Sequence, residues 1–184
     1  MARTPSTMQT LGTAAVDFSL PDGTGAMHSL KSCQGEKATL VIFMCNHCPF
    51  VVHVADELAR LGQQYPNKGI GIVAINANDV DNYPDDSPQK MVETAKAWGL
   101  GFPYLYDESQ EIAKQYQAAC TPDFFLYDDQ NKLIYRGQLC ESRPGSDIPV
   151  TGSDLRAALD AVLAGEPVND DQIPGMGCNI KWKP

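Results

Sequence analysis

A short apolar run that ends in two cysteines constrains the fold of this chain more than any other feature. Leu40 to Met44 are consecutive apolar residues, followed at once by Cys45-Asn46-His47-Cys48 and by a helical pattern that begins at Pro49. A bounded apolar run of this kind is typical of a buried strand, and proline is favoured in the first helical turn. The sequence therefore predicts a buried strand that turns directly into a helix, with two thiols one helical turn apart at the junction.

The spacing of these two thiols indicates redox chemistry. A cysteine at a helix N-terminus faces unpaired backbone N–H groups and the positive end of the helix dipole, and both favour the thiolate. We expect Cys45 to lie at the helix entry and to be the attacking thiolate. Cys48, one turn later, is expected to resolve the mixed disulfide, so that a Cys45–Cys48 disulfide forms. His47 lies between them, and a protonated His47 ring would favour the reduced pair.

Two other interpretations of the motif stay open. A C-x-x-C pair can be half of a zinc site, but a structural zinc site usually needs a second pair, and the other cysteines of this chain are scattered singly. Two inert buried cysteines are the second alternative, because free cysteine packs like a small hydrophobic residue. The position between a strand and a helix favours chemistry over packing, and we predict neither a metal site nor an organic cofactor.

Composition limits the class of protein. The 184 residues, 43% of them hydrophobic, suffice for one domain with a proper core. A formal net charge of −9 argues against nucleic acid or an anionic membrane surface as a partner. The polar stretch Met1 to Leu11 lacks the apolar core of a signal peptide, and no segment approaches the roughly 18 apolar residues of a membrane helix. We therefore expect a cytoplasmic protein, and in that compartment a C-x-x-C is more often catalytic than structural.

Predicted strands alternate with predicted helices along the chain, which is the pattern of a sheet covered on both faces. The predicted strands are Val16 to Leu20, Met27 to Leu30, Thr39 to Met44, Ile70 to Ile75, Phe102 to Tyr106, Phe124 to Tyr127 and Leu133 to Arg136. The predicted helices are Pro49 to Gln64, one capped by Ser87-Pro88, one that starts at an Asp107/Gln110 capping box and runs through Tyr116, and one from Ser153 to its stop at Gly165.

This organisation resembles the thioredoxin superfamily, over about Ala15 to Leu163. Four segments are similar to the peroxiredoxin-like branch of the AhpC/TSA redoxins: the apolar run into Cys45-Asn46-His47-Cys48-Pro49-Phe50, Cys120-Thr121-Pro122-Asp123-Phe124-Phe125, Tyr135-Arg136-Gly137-Gln138 and Gly177-Cys178-Asn179-Ile180-Lys181-Trp182.

The resemblance implies an α/β, thioredoxin-like fold. It implies a central mixed β-sheet flanked by helices on both faces, with an N-terminal β-hairpin and a strand–helix insertion. The domain would span residues 15–165, with a tail at 1–14 and a second tail at 166–184 that carries Cys178. It further implies a cis peptide bond between Thr121 and Pro122, and it makes both residues candidates for binding the extended chain of a thiol substrate.

The predicted function is thiol-disulfide exchange through Cys45 and Cys48, with His47 as a tuning residue. The expected partners are a protein or low-molecular-weight thiol or disulfide substrate and an external thiol reductant. A thiol-dependent peroxidase is the first alternative. It is disfavoured because Val41 and Cys45 stand before Cys48 where true peroxiredoxins carry a proline and a threonine or serine. In addition, Arg136 and Arg143 lie well downstream of Pro122. A non-enzymatic redox-sensing or metal-binding module is the second alternative.

The four remaining cysteines have weaker assignments. Cys178 lies in a glycine-rich tail and is a candidate resolving thiol if the tail is flexible, or an inert buried thiol if Ile180 and Trp182 hold the tail in place. Cys120 lies two residues before Pro122 and is a candidate third redox thiol, or a packing residue. Cys33 and Cys140 have no partner that the sequence reveals, so we assign them no function.

Overall fold

The computed structural model describes residues 3–184, so Met1 and Ala2 of the expected N-terminal tail lie outside the described residues. Its strands are β1 (Arg3–Pro5), β2 (Ser19–Pro21), β3 (Met27–Ser29), β4 (Ala38–Phe43), β5 (Ile70–Asn76), β6 (Tyr104–Tyr106), β7 (Cys120–Thr121), β8 (Asp123–Asp128), β9 (Leu133–Gly137) and β10 (Met176–Asn179). Its helices are α1 (Leu30–Cys33), α2 (Pro49–Gln64), α3 (Pro88–Trp98), α4 (Glu111–Gln115) and α5 (Ser153–Ala164), with short 3₁₀ turns at Pro66–Lys68 and Pro84–Asp86.

A five-stranded mixed sheet forms the centre of the domain, with the strand order β6-β5-β4-β8-β9. β4 is the middle strand: it runs parallel to β5 and antiparallel to β8, and every residue of β4 is buried. A strand covered on both faces has no need of polar alternation, which explains its continuous apolar run. The expected mixed sheet is confirmed, and so is the antiparallel hairpin formed by β8 and β9.

Alternate residues of each central strand enter two separate cores, because successive side chains of a strand point to opposite faces. In β4, Leu40 and Ile42 pack on one face with α2, α3 and α5, whereas Val41 and Phe43 pack on the other with α1 and α4. The helices therefore cover both faces of the sheet, as predicted.

Helix α2 has the bounds that its apolar periodicity predicts. Its inner face buries Val51, Val54, Leu58 and Leu61 against the sheet. Buried Glu57 ties α2 to α5 through an ion pair with Arg156. Because valine has low helix propensity, tertiary packing holds this helix, and with it the turn that carries the two cysteines. Among the described residues, no helix combines the length and the apolar character that a membrane span requires.

The start of α4 differs from its prediction. The helix begins at Glu111, after Gln110 in a left-handed conformation (φ 65°), so Asp107 and Gln110 do not form a capping box. The Asp107 carboxylate instead accepts a hydrogen bond from the backbone N–H of Ala113 at 2.9 Å. The carboxylate thus binds a backbone N–H of the helix start that lies three residues beyond the one that a capping box would use.

Two smaller sheets lie outside the central one. β2 and β3 pair antiparallel, which confirms the N-terminal hairpin with shorter strands than expected. The other sheet has the order β1-β10-β7. β1 falls within residues 1–14 and β10 within 166–184, so each of the two expected tails contributes a strand to this sheet. The tail that carries Cys178 is thus held between two neighbouring strands.

Candidate active site

The two cysteines of the motif lie where β4 ends and α2 begins. Cys45 follows β4 by two residues, and Cys48 is the N-cap residue of α2, which starts at Pro49. The expectation that Cys45 occupies the helix entry is therefore wrong. The argument from the helix N-terminus applies to Cys48 instead, because it is the residue at the cap.

Both thiols are buried and share Thr121 as a neighbour. The exposed fraction is 1% for Cys45 and 0% for Cys48. The Cys48 thiol donates to the Thr121 carbonyl oxygen at 3.1 Å, and the Cys45 sulfur lies 3.6 Å from the Thr121 hydroxyl oxygen. The two thiols also interact with each other, and this interaction shifts the pKa of both. The site is a pair of buried thiols that both contact Thr121 and are screened from bulk water.

The surroundings make the two thiols unequal in acidity. The hydrogen bond from Cys45 lowers the pKa of Cys48 against the effect of burial, and further hydrogen bonds from Cys178 and Thr121 act in the same direction. The pKa of Cys45 is raised by that same shared hydrogen bond, by burial and by the negative charge of Asp86. The electrostatics therefore favour a thiolate on Cys48. The attacking role of Cys45 stays a prediction that needs a chemical test.

A buried carboxylate, Asp86, organises the turn around the motif. Its side chain is fully buried and accepts hydrogen bonds from the backbone N–H of Asn46 and from the side-chain amide of Asn78, both at 2.8 Å. Its Oδ2 also lies 2.7 Å from Nδ1 of His47, at an angle outside hydrogen-bond geometry, so this contact is an ion pair when the ring is protonated. The His47 ring stacks on Tyr83 with 5.9 Å between ring centroids. His47 thus contacts Asp86, and Asp86 acts on Cys45.

Sequence reasoning missed Asp86. It lies in a segment that the sequence marks only as a loop, 40 residues from Asn46, and no spacing rule connects the two. The one local signal is the adjacent Ser87-Pro88 helix start, which places Asp86 next to a defined element.

Asp86 also completes the one group that could hold a metal ion among residues 3–184. The donor atoms of Cys45, His47 and Asp86 all lie within 4.8 Å of one another. Three donors are one fewer than a closed structural zinc site uses. Three protein donors are the number that an open catalytic zinc site uses, and this set shares Cys45 with the redox pair.

The peptide bond between Thr121 and Pro122 is cis, as predicted. The expectation that the Thr121 backbone is available to a substrate chain is not met in this state. Thr121 is already paired with Cys178 of β10, in the antiparallel ladder between β7 and β10. Thr121 remains in contact with both thiols of the motif through its hydroxyl and its carbonyl.

A small cleft opens beside Pro122, lined in part by Phe50, Met176 and Arg143. Arg143 lies well downstream of Pro122 in the sequence, but the structure brings it into this cleft. Its guanidinium donates to the carbonyl oxygen of Cys140 at 2.6 Å, so it serves to hold the loop.

Two further thiols surround the pair. Cys178 is 3% exposed and contacts the Cys48 sulfur, and burial followed by that contact raises the pKa of Cys178 to about 12. Cys120 is fully buried and donates weakly to the carbonyl oxygen of Pro122 at 3.7 Å. Burial also raises the pKa of Cys120. The structure brings both candidate redox thiols to the site, with Cys178 in direct contact. Trp182, expected to help hold the tail, is 41% exposed, whereas Ile180 is buried.

The remaining cysteines lie apart from the motif. Cys33 is in α1, where burial raises its pKa and the Ser32 hydroxyl lies 3.9 Å from its sulfur. Cys140 is buried along the cleft beside Pro122. Neither gains a role from the structure.

Asp123, the residue after Pro122, gives a prediction about stability against pH. Burial raises the pKa of its carboxyl from 3.8 to about 6. Because the folded protein binds this proton more tightly than the unfolded chain, the contribution is complete below pH 4 and is lost as pH rises through about 6. The Asp123→Asn variant lacks this term. The wild type should therefore lose about 2 kcal/mol in free energy of unfolding relative to Asp123→Asn as the pH rises from 4 to 7.

Urea unfolding at a series of pH values measures this difference. The exposed Asp129→Asn change is the matched control and should follow the wild type at every pH. Parallel curves for wild type and Asp123→Asn would show that Asp123 is ionised throughout the range.

Comparison with known proteins agrees with this fold. The profile of the AhpC/TSA family matches residues 11–136, and the chain belongs to that family. A thiol-disulfide oxidoreductase ResA from Halalkalibacterium halodurans is 26% identical over 67% of this chain, and the match spans 65% of that relative's length.

Solved structures extend the comparison. An uncharacterized conserved protein from Geobacillus kaustophilus is 52% identical, with a TM-score of 0.98, and the match covers 100% of this chain and 98% of that one. A putative thiol:disulfide interchange protein DsbE from Chlorobium tepidum is 21% identical, with a TM-score of 0.65, and the match covers 84% of this chain and 98% of that one. The last comparison supports the thioredoxin-like fold alone.

Proposed function

We propose that this protein is a thiol-disulfide oxidoreductase that works through Cys45 and Cys48. The observation that carries the proposal is that both buried thiols of the motif contact Thr121, next to the cis bond to Pro122. Two thiols of a C-x-x-C pair that contact the same residue are placed to form a disulfide. The relatives named thiol-disulfide oxidoreductase ResA support the same class of reaction.

The exchange proceeds in two balanced steps. One thiolate of the pair attacks a substrate disulfide, forms a mixed disulfide and releases the first substrate thiol. The second motif thiol then attacks the mixed disulfide, releases the second substrate thiol and leaves the Cys45–Cys48 disulfide. The substrate gains two electrons and two protons, and an external thiol reductant restores the pair. His47 and Asp86 lie beside Cys45 and are the groups that accept or return its proton.

The need to reduce the cysteine pair again after each reaction indicates the compartment in which the protein works. A dithiol that reduces a substrate must itself be reduced again, and the cytoplasm keeps thiols reduced. We propose that location, with a low-molecular-weight or protein thiol as the reductant. The excess of acidic over basic residues, 23 against 14, gives no positive surface for nucleic acid.

Bis(2-hydroxyethyl) disulfide, a small uncharged disulfide, is the probe for this proposal. Reduced wild-type protein should release two equivalents of mercaptoethanol per chain and lose two hydrogen atoms by mass spectrometry, as a Cys45–Cys48 disulfide forms. In a Cys178→Ser background, which removes the third thiol of the site, each single Cys→Ser variant of the pair should release less. The variant that accumulates the mixed disulfide retains the attacking sulfur, so Cys48→Ser and Cys45→Ser together decide the order of attack.

The matched control is Cys33→Ser, which removes a buried thiol outside the site and should behave as wild type. Hydrogen peroxide and zinc content are measured on the same preparations. Rapid peroxide loss that depends on one cysteine, without reaction with the disulfide, would replace the proposal with a thiol peroxidase. One bound zinc per chain that is lost in Cys45→Ser would replace it with a metal-binding module.

A further inference from the structure

Strand β10 lies against the part of the backbone that contacts both redox thiols. Cys178 pairs with Thr121 and Asn179 pairs with Cys120 in an antiparallel ladder. The carbonyl and hydroxyl of Thr121 contact Cys48 and Cys45. Any extended segment that pairs with β7 is therefore brought to the dithiol by its backbone alone.

The same ladder decides where the side chains of such a segment point. Alternate side chains of a strand face the same side, so the residue opposite Thr121 has a defined direction relative to the site. In this protein that residue is Cys178, and its sulfur contacts the Cys48 sulfur. β10 thus places a thiol where the cysteine of a bound peptide would meet the dithiol.

β10 is held on this edge by close packing as well as by hydrogen bonds. A Cβ atom on Gly177 would lie 2.1 Å from the Thr121 carbonyl oxygen, so only glycine permits this approach. On its other edge β10 pairs with β1, with Arg3 opposite Cys178. Beyond β10, the backbone N–H of Lys181 donates to the Asn78 side chain at 2.8 Å. The strand is anchored on both edges and at its end.

We propose that β10 is a built-in occupant of the peptide-docking edge of this site, with Cys178 in the place of a substrate cysteine. This inference rests on the proposed function and specifies its substrate class. With the edge of β7 filled, the resting protein reacts with low-molecular-weight disulfides. An extended protein chain gains access to Thr121 only when β10 is displaced.

Substitutions at two neighbouring glycines test this proposal. Gly177→Ala places a methyl group against the Thr121 backbone and should displace β10. Gly175→Ala is the matched control, since its nearest neighbour would be at 3.4 Å, an ordinary contact. With dithiothreitol as reductant, wild type and Gly175→Ala should reduce insulin no faster than dithiothreitol alone. Gly177→Ala should accelerate insulin reduction about tenfold. This is the factor by which the population with β10 displaced rises when the free energy of displacement falls by 1.4 kcal/mol.

Equal insulin reduction by wild type and Gly177→Ala would overturn the proposal. Reaction with bis(2-hydroxyethyl) disulfide separates this result from a failure of the proposed function. If none of the proteins reacts with that small disulfide, the proposed function falls. Hydrogen exchange of the Met176–Asn179 amides then decides the occupancy of the edge: slow exchange in wild type and faster exchange in Gly177→Ala support it, and fast exchange in wild type overturns it.

A second test needs no displaced strand and covers the case in which Gly177→Ala does not fold. In Cys45→Ser, the Cys48 thiolate attacks bis(2-hydroxyethyl) disulfide and releases one mercaptoethanol. Cys178 should then attack the mixed disulfide, release the second mercaptoethanol and leave a Cys48–Cys178 disulfide. Cys45→Ser/Cys178→Ser should stop at the mixed disulfide, whereas Cys45→Ser/Cys33→Ser should not. A mixed disulfide that persists in Cys45→Ser would show that Cys178 is not in the position proposed.

Discussion

The Asp86→Asn variant is expected to alkylate faster at Cys45 while losing about 2–4 kcal/mol in free energy of unfolding. The carboxylate charge raises the pKa of Cys45, so its removal should favour the Cys45 thiolate. The stability loss has a separate cause. Asn46 and Asn78 both donate to the buried carboxylate, and an asparagine side chain offers one acceptor oxygen in place of two.

Iodoacetamide alkylation followed by mass spectrometry of each cysteine measures the first effect. In a Cys48→Ser background, the rate at Cys45 should rise by up to about tenfold at pH 7, the change that one unit of pKa produces. Asp85→Asn is the control, because Asp85 is an exposed neighbour whose backbone carbonyl alone binds the Asn46 side chain. An unchanged Cys45 rate in Asp86→Asn would show that the carboxylate charge does not act on Cys45.

The Phe125→Ala variant should lower the free energy of unfolding by about 3–5 kcal/mol. Phe125 is fully buried in β8, at the centre of the core opposite α2. Its ring meets Phe43 edge-on at a centroid distance of 5.9 Å and Tyr116 at 6.1 Å. Removing the ring therefore deletes two aromatic contacts and leaves a cavity between rigid strands.

Thermal unfolding reads out this loss. At roughly 2–4 °C per kcal/mol for a domain of this size, the melting temperature should fall by about 6–20 °C. The control is Val52→Ala on the outer face of α2, where the side chain is 51% exposed and the change should stay within about 0.5 kcal/mol. A loss below 1 kcal/mol in Phe125→Ala would show that neighbouring rings move to fill the space.

Local patterns account for most of the fold that could be predicted. α2 was predicted from Pro49 to Gln64 because its apolar spacing and its first-turn proline agree, and β4 because its apolar run is short and bounded. α4 was predicted less well. Its start depends on Asp107 reaching the N–H of Ala113, a contact that competes with the capping box and that the sequence pattern does not distinguish.

The sequence indicated which residues form the candidate site, but it predicted their arrangement less well. The sequence indicated the two cysteines, His47, Thr121 and Pro122, because these residues fall in recognisable motifs. The predicted start of α2 at Pro49 already made Cys48, the residue before it, the helix cap, so the placement of Cys45 at the helix entry was an error of interpretation. Asp86 and the contact of Cys178 with Cys48 depend on pairings between distant segments, which leave no trace in local spacing.

The pairing of β1 with β10 has a consequence for the order in which the protein is assembled. Arg3 meets Cys178 across the ladder, so the two halves of this contact are made at widely separated times during synthesis. Contacts between distant segments form late, because closing a long loop costs entropy before the contact is gained. The central sheet and the dithiol can therefore take shape while the edge of β7 is still open. Until residues 176–179 have been made, β7 has no β10 to pair with, so the strand that lies beside Cys45 and Cys48 is among the last parts of the site that synthesis supplies.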